Sequence, residues 1–160
     1  MSEMRGLLAE KEAFNDLSVA LYGMLAEGDD RIEYRASMTV PVHFTQTFAY
    51  NPFGRYEAPD GKANSPLETS DVRDALKMLR KASYRTDAGT WFSLRIIVTS
   101  DGAATAEYNY DKEPNFGLGG IDPVAYVADQ EAFPRDEGHQ PDWLKQRLAE
   151  GRAGLAARGE

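Results

Sequence analysis

Hydrophobic and polar residues alternate most regularly between Trp91 and Asp111. Phe92, Leu94, Ile96 and Val98 fall on one side of an extended chain, and Ser93, Arg95, Ile97 and Thr99 on the other. Ala104, Ala106, Tyr108 and Tyr110 repeat the pattern after Ser100-Asp101-Gly102. Asp-Gly supplies the positive φ that a tight turn needs, so the stretch predicts an antiparallel hairpin with one buried face. A second alternation, Ile32, Tyr34, Ala36, Met38 and Val40, predicts a strand. After Pro41 a further strand carries Phe44, Phe48 and Tyr50 around Gln46, with the proline at a bulge or an edge position.

Helical periods flank these strands. Phe14, Leu17, Ser18, Leu21 and Leu25 recur at spacings of three and four, predicting a helix from about residue 4 to 26 that Gly28 ends. Thr69 or Ser70 caps a second helix, with Asp71 in its first turn and Val72, Leu76, Leu79 and Ala82 as its buried stripe. Its C-terminal end gathers Lys77, Arg80, Lys81 and Arg85, where the helix dipole favours cations. Asp122-Pro123 opens a short helix to about Ala132, which Pro134 ends. Pro141 opens a last helix through Trp143, Leu144 and Leu148, with a tail expected to fray from about residue 152. Strands joined by short turns, with helices before and after, predict an α+β class. The expectation is a single domain over residues 1–160, an antiparallel sheet with helices mainly on one face.

The segment 51–67, NPFGRYEAPDGKANSPL, fits neither period. It predicts a loop with a short strand around Arg55 to Glu57 and a turn at Pro59-Asp60-Gly61. A loop of this length in a compact domain calls for a function. Asn51, Phe53, Arg55, Tyr56 and Asp60 are its candidate contact residues, because arginine and large aromatics are enriched at interface hot spots. The competing expectation is a loop folded back on its own sheet.

Charge narrows the partners. The formal net charge is -8, and the acid falls late, with Asp111, Glu113, Asp129 and Glu131 prominent. That balance argues against nucleic acid or an anionic membrane and suits a basic protein. Cysteine is absent, which removes disulfide and thiol chemistry. The N-terminal residues are too charged for a signal peptide and no apolar run reaches membrane-spanning length, so a cytoplasmic location is expected. His43 and His139 are the only histidines, which leaves no helical histidine pair for a metal. The four acids named above are oxygen donors without EF-hand spacing. Gly117-Leu118-Gly119-Gly120 lacks the lysine and the strand-helix setting of a phosphate loop and reads as a connector. No catalytic residue, metal or cofactor is predicted.

One resemblance extends over roughly the C-terminal half. Trp91-Phe92-Ser93-Leu94 through Asp101-Gly102, then Tyr108-x-Tyr110-Asp111-x-Glu113-Pro114, Phe133-Pro134-Arg135 and Pro141-x-Trp143-Leu144 occur in the order found in the YezG-like immunity (antitoxin) family of bacterial polymorphic toxin systems. The chain resembles that family. The resemblance implies a small cytoplasmic α+β protein that neutralises a cognate toxin by binding its C-terminal toxic domain. In the better-known branch that toxin is a nuclease exported by type VII secretion; an NAD-consuming toxin is a further expectation. Readings from other classes are a small enzyme using Asp111 and Glu113, and an adaptor or scaffold.

Overall fold

A computed structural model describes residues 2–51, 54–55 and 67–159. The elements run α1 (Ser2–Tyr22), β1 (Arg31–Met38), β2 (His43–Asn51), β3 (Gly54–Arg55), α2 (Ser70–Ala82), β4 (Ser93–Thr99), β5 (Ala104–Asn109), α3 (Val124–Ala132), a 3-10 turn (Glu137–His139) and α4 (Asp142–Ala157). The strands form one sheet in the order β3-β2-β1-β4-β5. The class is α+β, with an antiparallel sheet.

The chain divides into two compact units. The first holds Met1–Arg35, Thr45–Ser83 and Arg95–Glu107, and the second Ala36–Phe44, Tyr84–Leu94 and Tyr108–Glu160.

In the first unit α1 packs on α2. Leu17 and Leu21 of α1 and Val72, Leu76 and Leu79 of α2 are buried, as are Ile32 and Tyr34 of β1 and Ile96 and Val98 of β4. The alternation in β4 is therefore the burial pattern itself. Thr69 is the residue that caps α2, its hydroxyl accepting the Val72 N–H. Arg80, one of the cations gathered at the C-terminal end of α2, is 2% exposed.

The β4–β5 turn is fixed by Asp101. Its carboxylate accepts the Thr99 hydroxyl and the Ala103 N–H, and these bonds, the Thr99 bond first, hold it below the usual carboxylate range. Gly102 takes the expected positive φ of 90°.

Some boundaries differ from the periodic reading. The first helix stops at Tyr22, just before Gly23. The chain then turns through Ala26 to Asp29, the Asp29 carboxylate accepting the Ala26 N–H, so Gly28 shapes that turn and does not cap the helix. β1 ends at Met38. Pro41 lies in the turn to β2, closed by the Thr39 N–H on the Val42 carbonyl, and not in a bulge.

In the second unit α3 packs on α4 around Phe92, Phe116, Tyr126, Val127, Leu144 and Leu148. Phe92, Tyr126 and Trp143 meet edge to face, with centroids 5.2–6.2 Å apart. The tail expected to fray is helical to Ala157, and Leu155 packs against this core. Gly151 permits that continuation. A Cβ there would stand 2.7 Å from the Pro123 carbonyl oxygen and 2.7 Å from Val127 Cγ2, so only glycine allows α4 so near α3. Pro123 stands at the N-cap of α3, and Asp122 before it accepts the Val124 N–H; that bond, with Arg158 beside it, lowers the Asp122 pKa.

Candidate interaction surfaces

The candidate residues that the structure describes are divided between the two units. In the first unit, β1 carries Arg31, Glu33 and Arg35 on the side opposite Ile32 and Tyr34, a consequence of the period of two. The Arg31 guanidinium lies 4.2 Å from the centre of the Tyr50 ring on β2, and that of Arg35 lies 5.7 Å from Phe48. Glu33, with its side chain 5% exposed, takes Arg35 at 2.7 Å on one oxygen and Arg95 of β4 on the other. Arg95 also reaches Glu107 at 3.9 Å. A buried carboxylate between two half-exposed arginines fixes guanidinium groups that would otherwise sample many rotamers.

Asn51, the first residue of the 51–67 segment, ends β2. Asn51 pairs with Gly54 and Tyr50 with Arg55, which makes β3 a short antiparallel extension of β2. The expected strand at 55–57 is thus observed at 54–55. Phe53, Tyr56 and Asp60 lie outside the described residues. Leu67 is 91% exposed. Leu67 borders a groove of about 490 Å³ with Thr45, Gln46, Thr47, Phe48, Glu68 and Arg73. Glu68 accepts the Tyr34 hydroxyl, and burial first, then this neighbour, drives the Tyr34 phenol far above its ordinary pKa.

The second unit holds the four candidate acids, and they do not form one cluster. Asp111 is exposed, 3.4 Å from Arg135. Glu113 is half-exposed and accepts Arg147 Nε at 2.7 Å. Glu131 is exposed on α3. Asp129 is 5% exposed and accepts the Val40 N–H at 2.8 Å, so its carboxylate serves the fold.

The residues behind the resemblance converge on Arg135. Its side chain is 3% exposed and donates to the carbonyls of Thr90 at 3.0 Å, Tyr110 at 2.5 Å and His139 at 3.0 Å. Its guanidinium stands 4.8 Å from the Phe92 ring centre. Trp143 Nε1 donates to the Asp111 carbonyl at 2.7 Å. The shared pattern therefore ties together the exit of the hairpin, the turn before α4 and the start of α4.

His139 bonds Asp136 through Nδ1 at 2.6 Å on an exposed 3-10 turn, and His43 is exposed on β2. Among the described residues there is no group of three or more metal-ligating side chains. Among them, too, no helix is long and apolar enough to cross a membrane. No protein-family model matches the sequence, and no curated protein matches it.

Proposed function

We propose that this chain is an immunity protein of the YezG-like kind, a cytoplasmic antitoxin that binds the toxic C-terminal domain of a secreted bacterial protein and blocks its active site. The contact is made by the arginine–aromatic face of β1 and β2 together with the 51–67 segment. The observation that carries this reading is the pairing of Arg31 with Tyr50 and of Arg35 with Phe48, with Glu33 holding Arg35 from beneath. Arginine, tyrosine and phenylalanine are the residues that protein interfaces concentrate, and a fixed guanidinium loses little entropy on binding. Arginines on this face alternate with Asp30, Glu33 and Glu107, a mixed-charge pattern that suits a protein surface better than a phosphate backbone.

The acids of the second unit have a separate role. Asp111 and Glu131 add to the negative field that draws a basic toxin to its inhibitor.

The reading predicts a secreted-toxin reading frame next to this gene, and the test is co-expression with the C-terminal domain of that frame: the chain restores growth and co-purifies with it, and an operon of metabolic enzymes there counts against the reading. The double variant Arg31→Glu/Tyr50→Ala melts normally but binds about 30-fold or more weaker, the loss of one hot spot of ~2 kcal/mol. Undiminished binding by a folded double variant rules out this face.

A further inference from the structure

The second unit contains a cleft of about 160 Å³ beside the connector that follows β5. Pro114, Phe116, Ile121 and Pro123 line it, with the polar side chains of Glu113, Tyr126 and Arg147. Gly119 and Gly120, both at positive φ, line it too.

Tyr126 is the informative residue. It is 3% exposed, and its ring is held edge-on by Phe92, Phe116 and Trp143. Its hydroxyl nevertheless has no hydrogen-bond partner among the described residues. The hydroxyl is open to the cleft and not sealed in the core, so a ligand bound there can accept from it or donate to it. Burial, then the charge of Glu113, raises the pKa of this phenol, which keeps it neutral and able both to donate and to accept.

The charge of the site is settled by Arg147. Its Nε donates to one oxygen of Glu113 at 2.7 Å, and its Nη1 to both oxygens of Glu150 at 3.1 Å. Two carboxylates thus share one guanidinium, leaving one negative charge in excess. The second oxygen of Glu113 accepts no hydrogen bond among the described residues.

We propose that this cleft binds an organic cation with a short apolar stem, an alkylguanidinium or alkylammonium group. Its head donates to Glu113 and to the Tyr126 oxygen, and its stem lies on Pro114, Phe116 and Ile121. An anion meets the Tyr126 hydroxyl and Arg147 but also the excess negative charge. A cation is favoured by that charge and by the neighbouring aromatic rings. Cavities of about 150 Å³ accept a benzene-sized guest, which matches such a stem and head. The group is either a free small molecule or a lysine or arginine side chain of a polypeptide. The inference does not depend on the toxin reading.

The test is a nuclear magnetic resonance titration of the full chain with butylguanidinium and its neutral isostere butylurea. The reporter is the Trp143 indole N–H, whose ring packs 5.6 Å from Tyr126. The expected result is saturable binding of butylguanidinium, with butylurea weaker by about tenfold or more. Glu113→Gln weakens the cation by a similar factor, and Tyr126→Phe weakens it less. Equal binding of the two isosteres, or no saturable shift with the cation, overturns the proposal, and that comparison needs no variant. Arginine blocked at both ends separates the sources. Binding tighter than butylguanidinium assigns a polypeptide side chain, and exclusion of the blocked residue while butylguanidinium binds assigns a free ligand.

Discussion

Replacing Arg135 with alanine is expected to destabilise the second unit by about 3–5 kcal/mol, the range for removing one partner from a buried charged network. The geometry supports that size. Arg135 donates to the buried Thr90 carbonyl and to the part-buried Tyr110 carbonyl. A hydrogen bond to a charged group is worth ~1.5–3 kcal/mol, so two give ~3–6. The His139 carbonyl is near solvent and adds little. Loss of the contact with Phe92 adds to the cost, and relief from keeping a guanidinium out of water subtracts from it.

Asp111, by contrast, has a side chain 81% exposed, and such a pair is worth ~0–1 kcal/mol. The account therefore predicts a large effect for Arg135→Ala and a small one for Asp111→Ala. At about 2–4 °C per kcal/mol the melting temperature falls by ~6–20 °C in the first case and by under ~4 °C in the second. Arg135→Lys retains the charge but not the fork, and falls between them. The two tryptophans, Trp91 and Trp143, both lie in this unit, so denaturant unfolding followed by their fluorescence reports on it. Equal losses for Arg135→Ala and Asp111→Ala refute the reasoning and make the ion pair the source of stability. Gly89 gives an independent check. A Cβ there would stand 2.2 Å from Arg135 Nε, and its φ is 83°, so Gly89→Ala displaces the same side chain and destabilises the same unit.

Gly151→Ala is expected to destabilise and Gly154→Ala to stabilise by up to about 1 kcal/mol, since a Cβ meets backbone at 2.7 Å in the first and only Val124 Cγ2 at 4.0 Å in the second; thermal melts of the same sign for both contradict this. Tyr34 and Tyr126 both have pKa values raised above 10.0 in the fold, chiefly by burial. The unfolded chain releases those protons first, so their contribution is complete below pH ~10 and lost as pH rises above it, by ~1.4 kcal/mol per pH unit per tyrosine. Tyr34→Phe should reduce that slope by one proton in urea titrations between pH 9 and 12 (roughly the span of tyrosine and lysine ionisation), and an unchanged slope contradicts the assignment. Reversing Asp111 and Glu131 to lysine should slow toxin association and flatten its salt dependence in stopped-flow measurements, while an unchanged rate leaves the acid as a solubility feature.

Legibility followed the strength of the local signal. The β4–β5 hairpin was plain because alternation and Asp101-Gly102 agree, and the α2 start because Thr69 is followed by Asp71 and an apolar stripe. Arg135 was not legible as a hub. It lies outside any periodic segment, after Pro134, and the carbonyls it bonds come from residues 90, 110 and 139, which only the folded chain brings together. Asp129 looked like surface acid because its partner, the Val40 N–H, is 89 residues away. The arginine–aromatic pairs were half legible. The alternation of Arg31, Glu33 and Arg35 places them on one face, but their registry with Tyr50 and Phe48 depends on strand pairing. The tail beyond Gly151 was expected to fray because glycine carries no record in sequence of whether a neighbour needs its space.

The central claim, that the sheet face and the 51–67 segment engage a toxin, is tested most directly by calorimetric titration of a cognate toxic domain into two proteins. One is the full chain, and the other has residues 51–67 replaced by a glycine-serine turn, with its fold verified by thermal melting. The account predicts one-to-one binding by the full chain and its loss in the shortened one. Equal affinity and full protection by the shortened chain contradict it, and place the contact elsewhere.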